Sequence, residues 1–377
     1  MNRIQIVDLV RSLSILTVLA AHLGCHYILN TSPWPILHLI WYKAWINGAF
    51  GVTSFFVVSG FVISRLIDSQ PGGLFRPNFR DFYTRRFGRI VPLLTLTCLV
   101  GYILISVIQN APHPFDYCLK NPNGVFDLAF WISIATFTSY WYKALFHIHN
   151  NGLHWDLLWS LSVEEQFYFF YPFLLKKLGS EKKLKFFLVA LVFYPPLYAV
   201  FAEFYFPRAS HPFWGGLQPF GSIAMGCLLY LFWRRFRGAL LENKKNCWWF
   251  VGAGLLVFGD AFLTQDYKLN YWGHIFGFFQ IGLGVSLFLL GGIQLDFFES
   301  KYWTPLARPG ILSYGAYLMH PAILYFLWPY LVGKNEFWGY FIFTATTLSI
   351  AQLSFQFYET PTNRWVRRMF AKAGGPI

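Results

Sequence analysis

Residues 11–22 read RSLSILTVLAAH and lie inside the first long apolar run of the chain. A charged arginine and a titratable histidine are costly inside a hydrophobic segment, so each needs a reason to be there. Eleven helical steps of 100° come to about three whole turns, which places Arg11 and His22 on one helix face. The helical rise separates them by about 16 Å, roughly half the hydrocarbon core of a bilayer. The spacing favours a helix that carries a cation near one end and a proton acceptor deeper in.

Two structural explanations stay open for these residues taken alone. An arginine near the start of a span often extends to the membrane surface, and a lone histidine often bonds a neighbouring helix. Ionisable groups in membrane segments are nevertheless candidates for function.

The composition predicts an all-α membrane protein. Of 377 residues, 56% are hydrophobic and only 12% are charged, about half the charged fraction of a soluble protein. The first apolar run is predicted to be a retained span and not a signal peptide, because Asp8 and Arg11 interrupt it and AAH offers no A-x-A cleavage site. The five cysteines form no CxxC pair, so neither a disulfide framework nor a zinc motif is expected.

The net charge of +13 is explained by topology and not by nucleic-acid binding, because the basic residues fall in short loops between apolar runs. If the N-terminus is cytoplasmic, most lysines and arginines face the cytoplasm, which predicts that both termini are cytoplasmic. Ten transmembrane helices are predicted at about 10–29, 47–66, 90–108, 157–176, 184–203, 217–234, 247–264, 272–293, 311–331 and 337–357.

Residues 128–146 are long and apolar enough to cross as well. Counting them as a span would turn every later basic loop outward, against the charge distribution. We therefore expect a re-entrant or interfacial segment, rich in Trp and Tyr as such segments are.

A basic cluster follows the second span, where residues 79–92 read FRDFYTRRFGRIVP. Arg86 and Arg89 are neighbours on one helix face, and two guanidinium groups at that spacing are able to chelate a phosphate or pyrophosphate. The structural alternative is ordinary topology or binding of lipid headgroups.

The fourth span begins LWSLSVEEQFYFFYP at residues 158–172. Adjacent acids in an apolar helix are expensive unless they are paired or neutral. Ser160 and Glu164 share a face, so Glu164 is predicted to meet a polar cavity while Glu165 points elsewhere. The alternative is a structural pair with an arginine of another helix.

Small residues, prolines and histidines elsewhere in the chain give weaker signals. Gly48, Gly51, Ser59 and Gly60 of the second span indicate close helix packing. In the ninth span Pro321 frees a mid-membrane carbonyl, and His320 alone is expected to be structural. His147, His149, His154 and Asp156 are possible zinc ligands, but a zinc site is disfavoured because no recognised ligand spacing is present. No Walker A, G-x-S-x-G or H-E-x-x-H motif occurs.

Taken together, the chain resembles the acyltransferase-3 family of bacterial multi-span membrane O-acyltransferases. The resemblance runs in the family's order through RSLSILTVLAAH, GVTSFFVVSGFVI, FYTRRFGRIVP, WSLSVEEQFYFFYP, SYGAYLMHP and FYETPTNRW, and so covers nearly the whole chain. WSLSVEEQFY and the Arg–His pair are specific, whereas the small-residue span and the tail are weaker. Residues 1–360 would form the transmembrane domain and 361–377 a basic cytoplasmic tail, without the added soluble domain of some members.

The resemblance implies transfer of an acyl group, usually acetyl, from cytoplasmic acyl-CoA to a hydroxyl of a surface glycan such as lipopolysaccharide, at the bacterial inner membrane. Arg11 and His22 match the family's essential pair, Glu164 its acidic residue, and Arg86 and Arg89 its R-x-x-R loop, beside which Arg85 would help bind acetyl-CoA. His22 would take the proton of the acceptor hydroxyl, and Arg11 would orient the donor or stabilise negative charge. No metal is expected.

Two other classes stay open from the residues. A transporter or flippase of a glycan or small anionic substrate also has buried Arg, Glu and His, but it needs no cytoplasmic phosphate-binding cluster. A partner protein in polysaccharide export would not need His22.

Overall fold

The structure is a computed structural model that describes residues 3–24, 35–108, 128–145, 157–205, 218–238, 241–264, 271–331 and 335–372. All regular structure in these ranges is helical. The helices are α1 Gln5–Gly24, α2 Pro35–Ile46, α3 Gly48–Asp68, α4 Phe79–Ile108, α5 Leu128–Ala135, α6 Ser139–Leu145, α7 Leu158–Leu178, α8 Glu181–Tyr205, α9 Gln218–Phe236, α10 Lys244–Thr264, α11 Tyr271–Gly292, α12 Thr304–Ile311, α13 Ser313–Leu331, α14 Glu336–Ser354 and α15 Thr360–Lys372.

Within the described residues, each of the ten predicted spans coincides mainly with one of these helices, which confirms the all-α class. Among the described residues, four helices are long and apolar enough to cross a membrane, namely α1, α3, α10 and the Phe79–Ile103 part of α4. The pair α12 and α13, interrupted at Leu312, would be a fifth. In α7 the acids Glu164 and Glu165 lower the mean hydropathy. The number of crossings and the cytoplasmic termini remain predictions.

Residues 128–145 form two short helices instead of one span. α5 and α6 contain 8 and 7 residues, so each is about 12 Å long or less, well short of a bilayer core. Between them Phe137 has a φ of 54°, an unusual conformation for a bulky residue. Side-chain donors of Ser162 and Gln166 bond the Phe137 carbonyl and hold the turn. The position of this segment relative to the membrane remains a prediction.

The described residues divide into two compact units. The first contains Met1–Arg76 and Phe167–Ile311. Within it α3 packs against α1, α9 and α11, and α10 packs along α11. Gly60 of α3 and Gly226 of α9 lie back to back: a methyl group on either one would overlap a backbone carbonyl of the other helix, that of Ile223 or Val57.

The second unit contains Pro77–Gln166 and Leu312–Ile377. Its core joins α4, α5, α6, α7 and α13 through the buried side chains of Ile90, Leu93, Leu94, Phe130, Ile134, Tyr142, Leu158, Leu161 and Leu318. A π-helical stretch, Phe355–Glu359, links α14 to α15, and α15 returns to pack along α4.

Many large apolar side chains face outward. Phe186 of α8 is 79% exposed and Leu256 of α10 is 76% exposed. Exposed apolar surface on this scale needs an apolar surrounding. Together with the apolar helices it indicates a membrane protein.

Candidate active site

Arg11 and His22 lie on the same uninterrupted helix, α1, so the predicted three-turn spacing is present. The Arg11 side chain is 15% exposed, and a guanidinium nitrogen lies 3.9 Å from the carboxylate of Asp8. His22 is half-buried in the last turn of α1. One face of a single helix therefore carries a largely buried cation and an imidazole.

Helix α3 lies directly against α1 through its small residues. A methyl group on Gly51 would lie 2.8 Å from the Ser14 carbonyl oxygen, and one on Gly48 would overlap the side chain of Ala21, next to His22. The predicted packing role of these glycines is confirmed, and larger residues would push α3 away from the turn that carries His22.

The basic cluster of residues 79–92 forms the start of α4, so Arg86 and Arg89 do share a helix face. A guanidinium nitrogen of Arg86 donates to Glu165 of α7 at 3.0 Å, with side-chain exposures of 17% and 12%. Glu165, the acid predicted to point elsewhere, thus pairs with Arg86. This is the paired arrangement that a buried carboxylate requires.

The other arginines of α4 have different surroundings. Arg85 donates to Asp81 one helical turn earlier, at 2.7 Å. Arg89 is exposed, and it is near enough to Glu165 and to Glu359 to act on their charge. Burial raises the pKa of Glu359, while the Ser354 hydroxyl and the charge of Arg89 act in the opposite direction. The positive charge of the cluster is thus partly balanced by acids from other helices.

A polar group formed by α7 and α13 lies one helical turn from Glu164. The hydroxyls of Ser160 and Tyr317 are 2.7 Å apart. Tyr317 is therefore bonded to the face of α7 that Ser160 shares with Glu164. One turn along α13, His320 is fully buried, and its Nδ1 lies 2.7 Å from the Tyr317 carbonyl. That bond agrees with the expected structural role of His320.

The possible zinc ligands lie outside the described residues, namely His147, His149, His154 and Asp156. Cys25 and Cys118 also lie outside them. Within the described part of the chain no group of three or more metal-binding side chains occurs.

Comparison with known proteins identifies the family of this chain. The family profile described as acyltransferase domain matches residues 4–355, from the start of α1 to the end of α14. The chain belongs to the acyltransferase-3 family.

Curated relatives of this acyltransferase-3 chain are O-acetyltransferases by name. Peptidoglycan O-acetyltransferase OatA of Listeria monocytogenes is 28% identical over 95% of this chain and 55% of its own length. O-acetyltransferase OatA of Staphylococcus aureus is 25% identical over 87% of this chain and 55% of its own length. The chain thus spans about half the length of the curated relatives it matches. No solved structure matches it.

Two carboxylates beside the candidate residues were not given a partner by the sequence alone. In the sequence Asp8 stands out as an interruption of the apolar run. Its i, i+3 spacing from Arg11 also favours an ion pair, which the structure shows. Glu165 is predicted to point away from the polar cavity, whereas the structure shows the alternative left open, a pair with an arginine of another helix. Which arginine it meets depends on how α4 packs against α7.

Proposed function

We propose that this chain is a membrane O-acetyltransferase that moves an acetyl group from cytoplasmic acetyl-CoA to a hydroxyl of a cell-surface or lipid-linked glycan. The observation that carries the proposal is the family match along residues 4–355, shared with relatives that are named O-acetyltransferases. Because the Listeria relative is named for peptidoglycan, peptidoglycan fragments are the first acceptors to test.

The donor is bound by the arginines of α4. CoA is a polyanion, and guanidinium groups bind phosphate oxygens through paired charge-assisted hydrogen bonds. Arg86 and Arg89 lie on one helix face, and Arg86 is oriented by Glu165 at 3.0 Å. We assign these two to the phosphates of CoA, with Arg85 as a neighbouring cation.

His22 is the general base of the transfer. It takes the proton of the acceptor hydroxyl while the hydroxyl oxygen forms a bond to the acetyl carbonyl carbon. The carbon–sulfur bond of the thioester then breaks, and the departing CoA thiolate receives the proton back from His22. The products are the O-acetyl ester and free CoA, with no acyl-enzyme.

Arg11 and Glu164 complete the proposal. A guanidinium that is already restrained stabilises the negative charge that develops on the thioester oxygen without further reorganisation. Glu164 lies one helical turn from Ser160, whose hydroxyl bonds that of Tyr317, and a carboxylate there is suited to accept a hydrogen bond from a sugar hydroxyl.

The test uses the full chain, purified into liposomes with radiolabelled acetyl-CoA and soluble peptidoglycan fragments. We expect one alkali-labile acetyl group on the glycan for each free CoA released. In the protein that remains folded, Arg86→Ala with Arg89→Ala should raise the KM for acetyl-CoA. Arg367→Ala with Arg368→Ala removes the same charge from exposed positions of α15 and should not. Arg86→Lys should restore binding only in part, because an ammonium lacks the planar fork.

Two results would contradict the proposal. Movement of glycan across the bilayer without acetylation would indicate the transporter class. Acetylation with an unchanged KM in the double alanine variant would remove the donor role of Arg86 and Arg89 while leaving the reaction class in place.

A further inference from the structure

Asp8 is a buried carboxylate that the proposed reaction does not use. It lies in the first turn of α1 and is 3% exposed. An ionised carboxylate removed from water is costly unless charged or hydrogen-bonding partners compensate it. Its position in an apolar helix therefore needs an explanation beyond helix formation.

Two arginines surround this carboxylate. Arg3 Nε lies 2.6 Å from Asp8 Oδ2, and a guanidinium nitrogen of Arg11 lies 3.9 Å from Asp8 Oδ1. The Arg3 side chain is 56% exposed, whereas that of Arg11 is 15% exposed. Asp8 thus lies between Arg3 at the surface and the largely buried Arg11, which shares a helix face with His22.

The backbone that carries Asp8 is fixed against α12. The Ser12 hydroxyl donates to the Asp8 carbonyl at 3.0 Å and accepts from the Gly310 backbone N–H at 2.7 Å. A methyl group on Gly310 would overlap the Asp8 carbonyl oxygen, so α12 touches α1 at Asp8 itself. The backbone that carries the Asp8 side chain is therefore held in place against α12.

We propose that Asp8 is a positioning residue for Arg11 in acetyl transfer; the inference rests on the proposed function. A free arginine side chain has many rotamers. A fixed carboxylate at the i−3 position favours those rotamers that bring the guanidinium close to it. Charge stabilisation is most effective when the charged group needs no rearrangement as the reaction proceeds. Asp8 supplies this restraint without touching the reacting groups.

The alternative is that Asp8 only stabilises the start of α1, as an acid in a first helical turn does. That role predicts a loss of stability alone. The test must therefore measure a quantity that a helix-stabilising acid leaves unchanged.

The experiment compares Asp8→Asn, Asp8→Glu and Asp68→Asn in the full chain in liposomes. Asp68→Asn is the matched control, because Asp68 also pairs with an arginine, Arg234 at 3.0 Å, at the end of α3. We expect Asp8→Asn to lower kcat by about 10- to 100-fold with an unchanged KM for acetyl-CoA, as displacement of a catalytic group does. Asp8→Glu should recover part of the loss, and Asp68→Asn should keep the wild-type kcat.

A second measurement needs no turnover. Arginine modification by phenylglyoxal, read by peptide mass spectrometry, should be several-fold faster at Arg11 in Asp8→Asn and unchanged there in Asp68→Asn. Equal Arg11 reactivity in all variants, or equal loss of kcat in Asp8→Asn and Asp68→Asn, would overturn the positioning role. If the wild-type chain transfers no acetyl group, the proposed function fails, and the Arg11 modification rates still decide whether Asp8 restrains Arg11.

Discussion

Arg86 of α4 and Glu165 of α7 form an ion pair of 3.0 Å within one helical unit, and both side chains are largely buried. In a buried pair of this kind, each charge is stabilised by the opposite charge of its partner. Removing one partner leaves the other buried charge without this counter-ion, whereas removing both leaves an apolar contact. The pair therefore explains how α4 can carry a proposed anion-binding arginine among apolar helices.

A double-mutant cycle tests this relationship without any activity assay. We expect Arg86→Met and Glu165→Met each to lower the free energy of unfolding by about 3–5 kcal/mol, and the double variant to lose much less than their sum. Unfolding in SDS titrations measures these free energies.

The partly exposed pair Glu181–Lys185 of α8, at 2.6 Å, is the control, with side chains about a third exposed to solvent. Its own cycle should give a coupling below about 1 kcal/mol, because exposed pairs contribute little. Additive losses at Arg86 and Glu165 would mean that the two charges do not depend on each other.

Much of the architecture was predictable because apolar length is a strong local signal. Within the described residues, all ten predicted spans fall mainly on helices, and the R-x-x-R spacing does lie on one face of α4. The small residues of α3 pack closely, as Gly48, Gly51 and Gly60 indicated. These features follow from the chain's own periodicity.

The pairing of charges was not predictable to the same degree. Glu164 and Glu165 are adjacent, and helical geometry separates their faces without saying which face meets an arginine. The break at Phe137 was also missed, because the turn depends on Ser162 and Gln166 of another helix. Tertiary contacts decide both features.

The contact between Gly60 and Gly226 predicts opposite effects for two glycine-to-alanine changes. Gly60→Ala should lower the free energy of unfolding by about 1–3 kcal/mol, because its methyl group would meet the Ile223 carbonyl and the Cys227 N–H. Gly252→Ala in α10 meets nothing within 4 Å and should raise it by about 0.5–1 kcal/mol through helix propensity. Thermal unfolding of the purified chain measures both shifts, and equal shifts would show that α3 and α9 are not in close contact.

The charge distribution makes a prediction about topology. In a cysteine-free background, a cysteine at position 149 should react with a membrane-impermeant maleimide in intact cells. One at position 180, between α7 and α8, should react only after permeabilisation. Labelling at position 180 in intact cells would make residues 128–146 a true span and invert every later helix.

The last prediction concerns His22. Replacement by Ala or Gln should abolish acetyl transfer and leave acetyl-CoA binding largely intact, because the α4 arginines proposed to bind the donor are unchanged. Gln keeps a similar shape and hydrogen-bonding capacity but cannot take up the proton, so it separates base chemistry from packing. Single-turnover transfer and equilibrium binding of acetyl-CoA measure the two quantities separately.

His320→Gln is the matched control, because it makes the same chemical change at a buried histidine whose Nδ1 is already bonded within α13. It should lower stability more than the rate of transfer in the protein that remains folded. Transfer by His22→Gln at a near wild-type rate would falsify the base assignment and leave His22 as a packing residue against α3. Loss of acetyl-CoA binding in that variant would instead make His22 a donor ligand, since the imidazole would then be needed before any proton moves.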